Sequence, residues 1–215
     1  EQIEPHDYMA EIFDNLSRIN TILLDLTQDM WFYIMLGYLK QKPKEGEVGS
    51  STMPNKVNPI DFENAEGNLH LANALLQVMA RELPQSRMQR HLSDSTMLRN
   101  LGTAFGYCLL SYKSIKKGLS KIEVDEERCR RHLQENPEVL AEAIQQICRK
   151  WQIKGGYDLL KEATRGKKAT LEDLRTLIGQ LPFPPEANGD KERLMALTPD
   201  KYTGLASSIS KDLPF

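Results

Sequence analysis

From Asp7 to about Lys40 the apolar residues Met9, Ile12, Phe13, Leu16, Ile19, Leu23, Leu26, Met30 and Ile34 recur at steps of three and four. That spacing places them on one face of an α-helix. At ~1.5 Å per residue such a helix runs about 50 Å, longer than a small globule needs and suited to an elongated bundle. A second stretch follows Pro59, with Phe62, Ala65, Leu69, Ala72, Leu76, Met79 and Leu83 on one face, and ends at Pro84. A third carries Leu98, Leu101, Phe105, Cys108, Leu109, Tyr112, Ile115 and Leu119, with Ser93 or Asp94 as its expected N-cap. Nowhere does a convincing run alternate apolar and polar residues, so no strand is expected and the fold class reads as all-α.

The first two helices are separated by residues 41–59, which hold Pro43, Gly46, Gly49, Pro54 and Pro59 and cannot be helical throughout. Structureless loops beyond about 12 to 15 residues are uncommon inside compact domains and tend to bind or cover something. After Leu119 the periodic runs shorten to roughly 125–134, 138–151, 155–165, 171–181 and 191–197, with an internal turn in PFPPEANGD from Pro182. The pattern predicts three long helices of a central bundle over 1–123, then a small all-helical C-terminal domain over 124–215.

Composition narrows the function classes. A hydrophobic fraction of 40% with 27% charged residues is that of a soluble globular protein, and no run approaches the roughly 18 apolar residues of a membrane span. The net charge of -2 gives no electrostatic ground for nucleic-acid binding. Cys108, Cys129 and Cys148 lack metal-ligand spacing and sit in helical patterns, which reads as reduced, buried thiols and a cytoplasmic location, with no metal. The opening EQIEPHDYMAEIFDN has neither an initiator Met nor a leader pattern, so the chain is expected to start inside a domain.

The segment GEVGSSTMPNKVNPIDFENAEGN, Gly46 to Asn68, carries two adjacent serines, Met-Pro, Lys and Asn in fixed order before a helical Glu. It matches the signature of the fumarase and aspartase superfamily, GSSxMPxKxNP. IDFENAEGN, QIEPHDY, SDSTMLRN and LTPDKYTGLA further resemble the bacterial adenylosuccinate lyases, over essentially all 215 residues. One departure is Asn55, where that family often has His.

The resemblance implies β-elimination of fumarate from a succinylated purine nucleotide. Such chemistry needs a base for a weakly acidic carbon-bound proton, cations for the carbanionic carboxylate and an acid for the leaving nitrogen. By resemblance Ser50 is the base, and it would need a dry site with N–H donors and positive charge to act as one. Ser51 and Met53 then contact substrate or order the loop, and Lys56 and Asn58 hold the succinyl carboxylates. Taken without the motif, two serines simply suit a loop, and Lys56 and Asn58 suit solvent. Glu63 matches a glutamate that orients the catalytic histidine, although a carboxylate there also suits the helix dipole.

Arg90, Ser95 and Arg99 surround an expected helix start and match nucleotide-phosphate contacts of the family, with a salt-bridging surface as the other reading. Arg87 is a weaker candidate for the same cluster. Gln2 matches a substrate-contacting glutamine. None of His6, His70, His91 and His132 falls where the family carries its general acid, which lies ahead of Glu1; the 215-residue chain alone is therefore expected to be inactive. The resemblance also implies a homotetramer whose active sites draw on several subunits, with no metal or organic cofactor.

Overall fold

The computed structural model describes residues 4–42, 58–88, 92–164 and 169–212. The chain divides into two compact units, Glu1–Asp125 and Glu126–Phe215.

The first unit is built on α1 (Asp7–Met35), α2 (Ile60–Glu82) and α4 (Leu101–Leu119), with the short α3 (Ser93–Leu98) between the last two. α2 is central and packs against both α1 and α4. Its buried positions Phe62, Ala65, Leu69, Ala72, Leu76, Met79 and Leu83 advance in alternating steps of three and four. Ala104, Cys108, Ser111, Ile115 and Gly118 do the same on α4, as do Ala10, Phe13, Ser17 and Asn20 on α1, with Thr27 seven positions further on. These are coiled-coil seams, which keep facing a partner over a long run. At the C-terminal end of α4, Gly118 lies so close to Phe62 that a Cβ there would meet the ring at 2.9 Å.

The seam of α1 keeps most of its predicted apolar face, with Phe13 buried and Met9, Leu16, Leu23 and Leu26 packed half-buried against the core, but it is wider and more polar than the pattern predicts. Ile12 and Ile19 of the predicted face are about half exposed, whereas Ser17, Asn20 and Thr27 are buried. Asn20 sits at the centre of a polar layer that joins all three helices. Its Nδ2 donates to Asn73 Oδ1 at 2.9 Å and to Cys108 Sγ at 3.3 Å, and its Oδ1 accepts from the Tyr112 hydroxyl at 2.6 Å. Burial, with Cys108 alongside, pushes the Tyr112 phenol up to about 12, so it stays a neutral donor.

Three expectations need correction. α1 stops at Met35 rather than near Lys40, because Gly37 takes a left-handed conformation (φ 76°) and closes a Schellman cap: Tyr38 N–H donates to Tyr33 O and Gly37 N–H to Ile34 O. The residues freed by that stop form a strand, β1 (Leu39–Gln41), paired antiparallel with β2 (Ile122–Val124) in the register Leu39 with Val124 and Gln41 with Ile122. Three-residue strands are too short to show alternation, so the pattern gave no sign of them. The third long helix is interrupted at Arg99–Asn100, and neither Ser93 nor Asp94 caps it: Leu92 and Asn100 occupy the N-cap positions of α3 and α4, without a side-chain cap.

The second unit contains α5 (Glu126–Glu135), α6 (Ala141–Lys150), α7 (Gly156–Thr164), α8 (Leu171–Gln180), α9 (Asn188–Ala196) and α10 (Ala206–Asp212), with 3-10 turns at Pro137–Leu140, Pro185–Ala187 and Pro199–Lys201. α9 begins inside the predicted turn, and α10 was absent from the sequence pattern. Leu140, Ile144, Cys148, Leu174, Ile178, Leu181 and Leu194 form a shared apolar core. Thr170 and Asp173 make a capping box at the start of α8. Asp190 of α9 accepts from Lys150 Nζ and from Trp151 Nε1 at 2.8 Å, tying α9 to the end of α6; those bonds hold its carboxyl below the usual range. Cys108 and Cys148 are buried free thiols, as expected, but Cys129 on α5 is only half-buried.

Candidate active site

Ser50, Ser51, Met53 and Lys56, together with Gln2 and Arg90, lie outside the described residues. Described are Asn58, Glu63, Ser95 and Arg99, and all four are exposed. Asn58 stands beside Pro59, the N-cap of α2, and Glu63 lies in the first turn, where its charge meets the positive end of the helix dipole.

Glu63 has a partner that the sequence did not announce. Trp31 Nε1 of α1 donates to Glu63 Oε1 at 3.0 Å, and one helical turn away Gln28 Nε2 donates to Glu66 Oε1 at 3.0 Å. Gln28, Trp31, Phe32, Glu63 and Glu66 line an open cleft of about 410 Å³. Two carboxylates beside two aromatic faces make a shelf suited to a protonated imidazole or another cation. The contact spans two helices, so no local pattern around Trp31 reveals it. One carboxylate oxygen of Glu63 is bound by the indole, which helps to fix its orientation.

The phosphate candidates stand elsewhere. α3 contacts α2, and its Met97 and Leu98 pack against the core cluster that the C-terminal half of α2, from Ala72 to Leu83, shares with α1 and α4. Ser95 Oγ donates to Leu92 O at 2.9 Å and its N–H to Asp94 Oδ1 at 2.6 Å, so the hydroxyl is used within its own turn. Arg99 is the exposed C-cap residue of α3, and Arg87 is also exposed. From Glu63 to Glu82 the helix advances roughly 30 Å, at ~1.5 Å per residue. The described carboxylate-end and phosphate-end candidates therefore sit at opposite ends of α2 and are not brought together within one chain.

Among the described residues no group of His, Cys, Asp and Glu has the form of a metal site. No helix among them is long and apolar enough to cross a membrane.

A family described as "Adenylosuccinate lyase C-terminal" matches residues 86–203, more than half of the chain, and one described as "Lyase" matches residues 1–75. The chain belongs to the adenylosuccinate lyase C-terminal family. Among its relatives, the adenylosuccinate lyase of Legionella pneumophila (strain Corby) is 56% identical over 210 residues, covering 98% of this chain and 45% of the relative. That of Escherichia coli (strain K12) is 53% identical over 212 residues, covering 99% and 46%. The chain thus spans about half the length of the curated relatives it matches. A class II fumarase from Schistosoma mansoni superposes with a TM-score of 0.65 at 17% identity, over 88% of this chain and 39% of that one, and shares the helical fold. At such low identity the likeness speaks to fold alone.

Proposed function

We propose that this chain is the C-terminal part of an adenylosuccinate lyase, and that the complete enzyme releases fumarate from adenylosuccinate, giving AMP, and from the succinyl-aminoimidazole-carboxamide ribotide of purine synthesis. The observation that carries the proposal is likeness to adenylosuccinate lyases over 98–99% of the chain at more than half identity. Ser50 removes the carbon-bound proton, while Lys56 and Asn58 hold the succinyl carboxylates as negative charge builds on them. Glu63, oriented by Trp31, steers the histidine that protonates the leaving nitrogen. Gln2, Ser51 and Met53 contact the substrate, and Arg90, Ser95 and Arg99 take its phosphate. Neither a metal nor an organic cofactor takes part, and the enzyme works in the cytoplasm.

The separation of the described candidates along α2 supports a homotetramer in which one site takes its carboxylate end and its phosphate end from different subunits. Apolar side chains left outward on the long helices support the same assembly: Ile12, Ile19 and Ile22 of α1 and Leu109 of α4 are all about half exposed or more.

Turnover of adenylosuccinate by the complete enzyme, followed by ultraviolet absorbance, tests the reading. Ser50→Ala is expected to lower kcat by several orders of magnitude with the tetramer intact; near-normal turnover would move the base elsewhere. Fumarate release from argininosuccinate but not adenylosuccinate would overturn the substrate assignment. The 215-residue chain alone is expected to show negligible turnover.

A further inference from the structure

The serine-bearing segment 43–57 joins two stems that the structure describes. Upstream is β1, ending at Gln41, followed by Lys42. Downstream is the first turn of α2, with Asp61 as its second residue. Both stems meet one residue. Lys121, in the turn between α4 and β2, accepts the Lys42 N–H on its carbonyl oxygen at 2.6 Å. Its Nζ donates to Asp61 Oδ2 at 2.7 Å.

We propose, on the functional reading above, that Lys121 is a positioning residue for the elimination: it pins both stems of the loop that carries Ser50 and so sets where the base stands. A loop of this length has a contour of about 50 Å, at ~3.3 Å per residue. Among the described residues Lys121 bridges its two stems, backbone on one side and side chain on the other.

The Asp61 contact is dry where it matters. The Asp61 side chain is 10% exposed and that of Lys121 11%, whereas Lys117, which donates to Asp61 Oδ1 at 2.9 Å, is 53% exposed. A carboxylate in the first turn of a helix satisfies the dipole while fully solvated. Burying it against a lysine from the turn after α4 is therefore a tertiary device, and burial makes the pairing strict, because an unpaired charge there is costly. The adjacent packing leaves no slack: Phe62 is 1% exposed and abuts the Gly118 backbone of α4. Reactions of this kind lose about a hundredfold when the reacting group is displaced by ~1 Å, which is the kind of drift a loosened stem permits.

Lys121→Met tests the assignment in the complete enzyme. The variant retains the backbone bond to Lys42 and leaves Asp61 paired with Lys117, so the fold survives. The expected result is a fall of about a hundredfold in kcat with KM within threefold, and faster amide hydrogen exchange confined to residues 42–61. Lys121→Arg, which keeps the charge and reach, recovers kcat to within tenfold of the unmodified enzyme, and Lys117→Met loses less than tenfold. A kcat for Lys121→Met within threefold of normal, an equal loss in Lys117→Met, or exchange quickened throughout α1, α2 and α4 would overturn the proposal. Should the unmodified enzyme not release fumarate from adenylosuccinate, the functional reading falls, and exchange alone decides Lys121: unchanged protection of 42–61 sinks it.

Discussion

In the C-terminal unit the bulky aliphatic side chains Ile144, Leu174, Ile178 and Leu194 point inward onto one another, and polar groups such as Asp190 tie helix ends at the rim. Along α1 the arrangement is mixed: Ser17, Asn20 and Thr27 are buried beside Phe13, while Tyr8, Ile12, Ile19 and Ile22 face outward. Large apolar residues on the side of a helix away from its own unit fit the assembly proposed above. Both units leave large apolar residues outward, Tyr157, Leu205 and Ile209 of the second among them, but the buried polar side chains among the described residues all lie in the first.

The sharpest way to break this contrast is to charge the outward row. Ile19→Glu together with Ile22→Glu is expected to abolish the proposed tetramer of the complete enzyme in sedimentation velocity while leaving helical content nearly unchanged, since both sites are already exposed within the chain. A tetramer that persists would show that this row meets solvent. Next in size, Ile144→Ala is expected to destabilise the C-terminal unit by about 2–5 kcal/mol in denaturant melts. Ser17→Ala in the first unit is expected to be neutral or slightly stabilising, because the buried Ser17 hydroxyl has no hydrogen-bond partner among the described residues. Equal losses at the two sites would erase the distinction between the seams.

The smallest effect is acid sensitivity. Burial alone would push the Asp61 carboxyl up, but hydrogen bonds and charge from Lys121 and Lys117 outweigh it and hold it below the ordinary value of 3.8. A depressed carboxyl contributes its stability in full above the unfolded value and loses it as pH falls through the folded one. Asp61→Asn is therefore expected to flatten the fall in melting temperature below about pH 4 and to lower stability at neutral pH; an unchanged acid limb would mean that the pair adds nothing.

How much was legible in the sequence follows the same division. Helical periodicity marked α2 almost to the residue, because α2 is central and buries one continuous apolar stripe. On α1 it marked Phe13, Leu16, Leu23 and Leu26 but also turned Ile12 and Ile19 inward and passed over Ser17, Asn20 and Thr27, because hydrophobicity alone cannot say which edge of a wide apolar stripe meets its own unit. Gly37 was the available signal for the true end of α1, and with it for β1, but a lone glycine in an apolar run is weak punctuation. At the candidate site, Glu63 was legible from motif spacing. Trp31 and Lys121 were not, since each reaches its partner from a distant helix or turn and neither belongs to a motif.

The Asn20 layer also acts as an index mark for the bundle. Seams of mostly small or aliphatic residues repeat every seven positions, so a slide of one repeat, about 10 Å, would leave most of the packing intact. It would not leave Asn20 opposite Asn73: the α2 residues seven positions away are Glu66 and Ala80. In the slipped arrangement the amide would face a carboxylate or a methyl group, and the Tyr112 hydroxyl would lose its acceptor. One polar rung therefore fixes the axial phase of the helices, and with it the height at which the stems of the serine loop leave the bundle.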